Sequence, residues 1–140
     1  MEKPIHILLA EDNPADQRLL KEALRTNGLH HQMQIVANGE DAMKAAQRAG
    51  HDEGTPCPDL FILDLHLPKV DGMEVLKAFR SNVHCMHTPV LILTSSSSPV
   101  ERFEVEMLPG VHFLQKPLEL DEYLSIGQKV KSILMKAQAT

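Results

Sequence analysis

The chain has 140 residues, about one domain by the usual ~100–200 residues each, and enough to bury a core without staples. It is 43% hydrophobic and 24% charged with a net charge of -5, both signs being interspersed, so it reads as an ordinary globule with no basic footprint for nucleic acid. The longest apolar runs, Leu60–Leu63 and Val90–Leu93, are far too short to span a bilayer, and Met1–Pro4 opens no signal peptide. Two cysteines make no disulfide framework, so a single domain over residues 1–140 in a reducing cytoplasm is expected, with neither DNA nor membrane as partner.

Ile5–Ala10 is a compact apolar run ending at acidic residues, which predicts a buried strand. Asn13-Pro14 supplies a helix cap followed by Pro at the first helical position; Leu19, Leu20, Ala23 and Leu24 form the inward face, and Gly28 ends the helix. Gln32–Ala37 alternates as a second strand. Asn38 caps a helix carrying Ala42, Met43, Ala45, Ala46 and Ala49, closed by Gly50. Leu60–Leu65 is a third strand, and Asp71-Gly72 opens a helix with Val75, Leu76 and Phe79 inward. Val90–Thr94 is a fourth strand. Pro99–Met107 is a weakly patterned helix with Val100 and Phe103 as its expected anchors, stopped by Pro109. Val111–Gln115 is a fifth strand, and a last helix from Leu120 to Met135 carries Leu120, Tyr123, Leu124, Val130 and Leu134 on one stripe. Five β-α units with continuously apolar strands predict an α/β fold, a five-stranded parallel sheet with five helices covering both faces.

Polar residues follow these strands. Glu11 and Asp12 come after the first, Asp64 lies near the end of the third, Thr94 and Ser95 end the fourth, and Lys116-Pro117 follows the fifth. In an open parallel sheet all these ends share one edge, where ligands bind at the topological switch point. Glu11, Asp12 and Asp64 would repel one another without a cation, and an oxygen-only donor set suits Mg²⁺. Asp64 then has the character of a carboxylate nucleophile, Lys116 of a counter-charge for phosphoryl oxygens, and Thr94 of a hydroxyl donor to one of them.

The segments Leu9-Ala10-Glu11-Asp12-Asn13, Leu63-Asp64-Leu65-His66-Leu67-Pro68, Asp71-Gly72, Leu93-Thr94-Ser95 and Lys116-Pro117 together resemble the signature of response-regulator receiver domains, with Thr94 30 residues and Lys116 52 residues beyond Asp64. The resemblance runs from Ile5 to about Leu134. It implies a flavodoxin-like doubly wound sheet of order 2-1-3-4-5, phosphorylation of Asp64 by a sensor histidine kinase, and Mg²⁺ held by Glu11, Asp12, Asp64 and the backbone carbonyl of His66. It further implies a switch in which Thr94 moves toward the phosphoryl group and Phe113, which lacks the hydroxyl of a tyrosine, turns inward. The face of the fourth helix, fifth strand and fifth helix would carry output and a possible homodimer contact. The run Glu11–Asp16 and the long segment from Gly50 to Pro58 resemble stand-alone receivers that partner bacterial phytochrome-type histidine kinases.

Because the sequence ends soon after the fifth helix, output is expected through a protein contact, the alternative being a phosphate relay or sink. A phosphatase of the haloacid dehalogenase type would need a second Asp where His66 stands, and a flavin phosphate would be repelled by Glu11-Asp12. The chain is therefore expected to be no enzyme beyond its own phosphorylation and dephosphorylation. The imidazole of His66 either gates water near the acyl phosphate or is a solvated loop side chain. Cys57, His84, Cys85 and His87 should lie on the edge opposite Asp64. A zinc site or a Cys57–Cys85 bridge is conceivable there, but loop cysteines with solvated histidines are the favoured reading.

Overall fold

The structure, a computed structural model, describes residues 3–139. Among these, five strands form one parallel sheet: β1 (Ile5–Ala10), β2 (His31–Val36), β3 (Leu60–Leu63), β4 (Val90–Thr94) and β5 (Val111–Gln115), in the order β2-β1-β3-β4-β5. The helices are α1 (Pro14–Thr26), α2 (Gly39–Arg48), α3 (Gly72–Ser81), α4 (Pro99–Glu106), and the fifth helix in two pieces, α5 (Leu120–Leu124) and α6 (Ile126–Ala139). The two pieces meet at Ser125, whose hydroxyl donates back to the Glu122 carbonyl at 2.6 Å, a bond that competes with the helical ladder. No helix among the described residues is long and apolar enough to cross a membrane.

Strand side chains alternate between two faces, and over β3, β4 and Ile7–Ala10 of β1 both faces are buried. Leu8, Ala10, Phe61, Leu63, Val90 and Ile92 pack under α2, α3 and Val105 of α4. Ile7, Leu9, Leu60, Ile62, Leu91 and Leu93 pack under α1, α5 and α6, against Leu20, Leu24, Tyr123, Ile126, Val130 and Ile133. Two-sided burial explains why β3 and β4 are unbroken apolar runs. The expected caps form: Asn13, Asn38 and Asp71 each accept main-chain N–H groups at the starts of α1, α2 and α3.

Three expectations are corrected. Val100 and Phe103 do not anchor α4; they are 66% and 68% exposed, with Met107 beside them, and Val105 is the buried residue. At 100° per residue, Val105 lies roughly opposite Phe103, so docking Val105 turns Val100, Phe103 and Met107 to solvent together. Leu120 is also exposed, while Ile126 and Ile133 take the inward places on the fifth helix. Finally, Cys57 and Cys85 form a disulfide with their Cα atoms 5.6 Å apart, rather than lying as free loop thiols. Cys57 precedes β3 and Cys85 closes a single 3-10 turn before β4, and the adjacency of those strands supplies the proximity. With both sulfurs bonded to each other, neither is left to ligate zinc beside His84 and His87.

Candidate phosphoacceptor site

Sheet register assembles the site. The chain runs from β1 outward to β2 and then returns to the other side as β3, so the order reverses between β1 and β3. Ala10 and Leu63 are register partners there, and Leu63 pairs with Ile92. Glu11, Asp12 and Asp64 therefore leave their strands side by side, with the Asp64 N–H donating to the Ala10 carbonyl at 3.0 Å. At the other side of β4, the Lys116 N–H donates to the Thr94 carbonyl at 2.7 Å, which carries the lysine to the same edge.

The start of α1 organises the acidic corner. Asn13 donates its N–H to Glu11 Oε2 at 3.2 Å, while its own side chain accepts from Ala15 and Asp16 N–H. Gln17 Nε2 donates to the Glu11 carbonyl at 2.8 Å. Glu11 and Asp64 are buried and Asp12 is exposed. One carboxylate oxygen from each of the three lies within 4.8 Å of the others. Such an all-oxygen donor set fits a hard divalent cation such as Mg²⁺ or Mn²⁺.

Lys116 Nζ is the counter-charge. It lies 2.5 Å from Glu11 Oε1, 3.0 Å from Asp16 Oδ2 and 3.2 Å from Asp64 Oδ2. Burial disfavours the ammonium, but hydrogen bonds to Glu11 and Asp16 and the nearby Asp64 charge outweigh it, holding Lys116 well above its ordinary value. Burial pushes the Glu11 carboxyl up, Lys116 and the Asn13 N–H oppose this, and Asp64 adds to it.

The rim comes from two loops. Gly72 lies so close to Asp64 and Leu65 that a Cβ would meet the Asp64 carbonyl oxygen at 2.5 Å and the Leu65 Cα at 2.5 Å. The Gly72 N–H donates to the Leu65 carbonyl at 2.9 Å, so α3 begins directly behind the acceptor. The His66 N–H donates to Asp64 Oδ1 at 3.1 Å, and its imidazole Nε2 lies 3.2 Å from Glu101 Oε1. Glu101 also accepts from the Ser96 hydroxyl, which ties the β3–α3 loop across the site mouth to the first turn of α4.

The sequence reading thus finds Glu11, Asp12, Asp64 and Lys116 in one cluster, with Thr94 fully buried at the end of β4, its hydroxyl accepting from the Ser96 N–H at 3.3 Å. Phe113 lies apart, mid-strand in β5 opposite Ile92, with the Arg102 guanidinium 5.4 Å from its ring centroid. Asp16 and Glu101 were missed as site neighbours. Asp16 had a signal in its place three residues after the Asn13 cap; Glu101 had none, since its contact with His66 is made between distant loops.

Comparison with known proteins places the chain among relatives of the same fold. The response regulator receiver domain family model matches residues 7–127. Response regulator Rcp1 of Synechocystis sp. is 36% identical over 92% of this chain and 88% of its own. The crystal structure of its Mn²⁺-bound form has a TM-score of 0.80 to this chain, covering 92% and 93% of the two. The phosphorylated cyanobacterial phytochrome response regulator RcpA is 32% identical with a TM-score of 0.83 over 95% of each chain. The receiver domain of sensor histidine kinase PA1611 from Pseudomonas aeruginosa, solved with a magnesium ion in its active site cleft, is 27% identical with a TM-score of 0.68 over 91% of this chain and 97% of that one. A match of that length, carried by the same sheet order, makes the assignment plain: the chain belongs to the response regulator receiver domain family.

Proposed function

We propose that this receiver, read as one domain over residues 1–140, accepts a phosphoryl group on Asp64 from a cytoplasmic sensor histidine kinase. The observation that carries the reading is the Lys116 ammonium donating to Asp64 Oδ2 beside the clustered oxygens of Glu11 and Asp12. The Asp64 carboxylate attacks the phosphorus, the phosphorus–nitrogen bond of the donor breaks, and its electron pair leaves on the donor imidazole. Glu11, Asp12, Asp64 and the His66 carbonyl would hold Mg²⁺, which supplies neutralisation of the phosphoryl charge. Lys116 donates to a phosphoryl oxygen, and the Thr94 hydroxyl turns from the Ser96 N–H to donate to another. The likeness to RcpA supports a phytochrome-type kinase as the donor.

Output follows through Phe113 turning inward as Thr94 moves, which changes the face of α4, β5 and the fifth helix. The exposed row of Val100 and Phe103 on α4 and Met107 at its C-cap supports that face as a contact for a partner or a second copy. To pass from mostly off to mostly on, phosphorylation must favour the active state by ~5.5 kcal/mol for a 1:99 to 99:1 shift. The test is incubation with acetyl phosphate and Mg²⁺ followed by mass measurement. Wild type gains a phosphate-sized increment that Asp64→Asn lacks, and excess chelator suppresses it. An increment retained in Asp64→Asn would refute the assignment. Mass gain without any change at α4 or Phe113 would make a phosphate relay or sink the better account.

A further inference from the structure

Lys116 engages three carboxylates, and its ammonium has only three N–H donors. Glu11 and Asp64 belong to the acidic cluster that fits a cation; Asp16 does not, since the group of close ligand oxygens consists of Glu11, Asp12 and Asp64. Asp16 reaches Lys116 from a different element, the first turn of α1, where the Asn13 cap fixes its main chain. The Asp16 carbonyl is also contacted by the Tyr123 hydroxyl of α5, at 3.4 Å. Tyr123 is itself buried within the core beneath α1 and α6. One residue therefore joins the lysine, α1 and α5.

We propose that Asp16 is a positioning residue for phosphoryl transfer: it holds the Lys116 ammonium against Asp64 and passes the lysine's movement to Tyr123. This rests on the functional reading given above. Before transfer, Glu11 and Asp16 grip Lys116 from two sides, leaving its third N–H directed at Asp64 Oδ2. After transfer, Asp64 has lost its carboxylate charge and the lysine follows the new phosphoryl oxygens. Asp16 is the most exposed of the three partners, with a side chain 20% exposed against 4% for Glu11 and 5% for Asp64, so its contact yields most readily to water. As that grip slackens, the first turn of α1 shifts against the Tyr123 hydroxyl. This route leads to the α1–α5 side of the sheet and is separate from the one through Thr94 and Phe113.

The chain supplies its own reporter, because Tyr123 is its one tyrosine and it has no tryptophan. The experiment adds beryllofluoride with Mg²⁺, a phosphoryl mimic, and follows tyrosine emission together with the ¹⁹F resonance of the bound mimic. In wild type both signals change. In Asp16→Ala, and in the isosteric Asp16→Asn should the first variant fold poorly, the ¹⁹F resonance persists while the emission change is lost. Phosphorylation by acetyl phosphate also slows by roughly ten- to a hundredfold in its maximal rate, the size of one charge-assisted hydrogen bond. Emission that responds as fully in folded Asp16 variants as in wild type, or that stays constant in wild type while the mimic binds, overturns the proposal. So does a folded Asp16→Asn chain that no longer binds the mimic, since Asp16 would then be a binding group. If wild type shows no Asp64-dependent ¹⁹F resonance at all, the functional reading fails and the proposal fails with it.

Discussion

Breaking the Cys57–Cys85 bridge should lower stability sharply while leaving phosphorylation intact. The two residues are 28 apart in sequence. The loop-closure entropy that such a crosslink removes from the unfolded chain corresponds to roughly 3.6 kcal/mol at 25 °C in the chain-entropy model. For a domain of this size, unfolding entropy scales so that this loss lowers Tm by about 12 °C. The folded state should survive reduction. Cys85 is buried among apolar side chains and its sulfur lies 3.4 Å from the Ala49 carbonyl, while the Cys57 sulfur lies 3.2 Å from the His84 carbonyl, so each thiol would find an acceptor close by. Both cysteines sit where β3 and β4 begin, at the far edge from Asp64, which accounts for the expected indifference of the acceptor site. The assay is thermal unfolding followed by circular dichroism, with and without a thiol reductant, alongside Cys57→Ala, whose curve should match reduced wild type and ignore reductant. A difference of less than about 3 °C between oxidised and reduced wild type would refute the entropic reasoning, because it would correspond to under about 1 kcal/mol.

Alkaline stability offers a second check. Lys116 and Tyr123 both have folded-state values raised above their ordinary 10.5 and 10.0, so the folded chain binds more protons than the unfolded one once pH exceeds about 10. Stability is therefore fully present below that window and falls as pH rises through it; denaturant midpoints of Lys116→Met and Tyr123→Phe should each decline less steeply there, and unchanged slopes would contradict the assignment. Gly72→Ala should cost about 1–3 kcal/mol by forcing a methyl into the Asp64–Leu65 main chain and should also slow phosphorylation, both measured on one preparation. Phe103→Glu on the exposed row of α4 should leave the phosphate increment and Tm within ordinary surface variation while weakening any phosphorylation-dependent self-association in sedimentation velocity.

Most of the architecture was legible in the amino-acid order because local physics dictates it. Continuous apolar runs demand strands buried on both faces, the Asn13-Pro14, Asn38 and Asp71 caps mark helix starts, and polar residues at strand ends become neighbours once the sheet is parallel. The acidic cluster of Glu11, Asp12 and Asp64, with Lys116 beside it, follows from those elements alone. What needed the tertiary structure were choices between near-equal alternatives and contacts between distant loops. α4 offers two apolar faces in eight residues, and only the sheet beneath it selects Val105 over Val100 and Phe103. Cys57 and Cys85 read as a marginal pair until β3 and β4 stand side by side, bringing their Cα atoms to 5.6 Å. Asp16 and Glu101 look like ordinary helix-start acids. Their contacts, with Lys116 100 residues away and with His66 35 residues away, exist because the folded chain brings α1 and α4 to the same edge of the sheet, a proximity that no local pattern encodes.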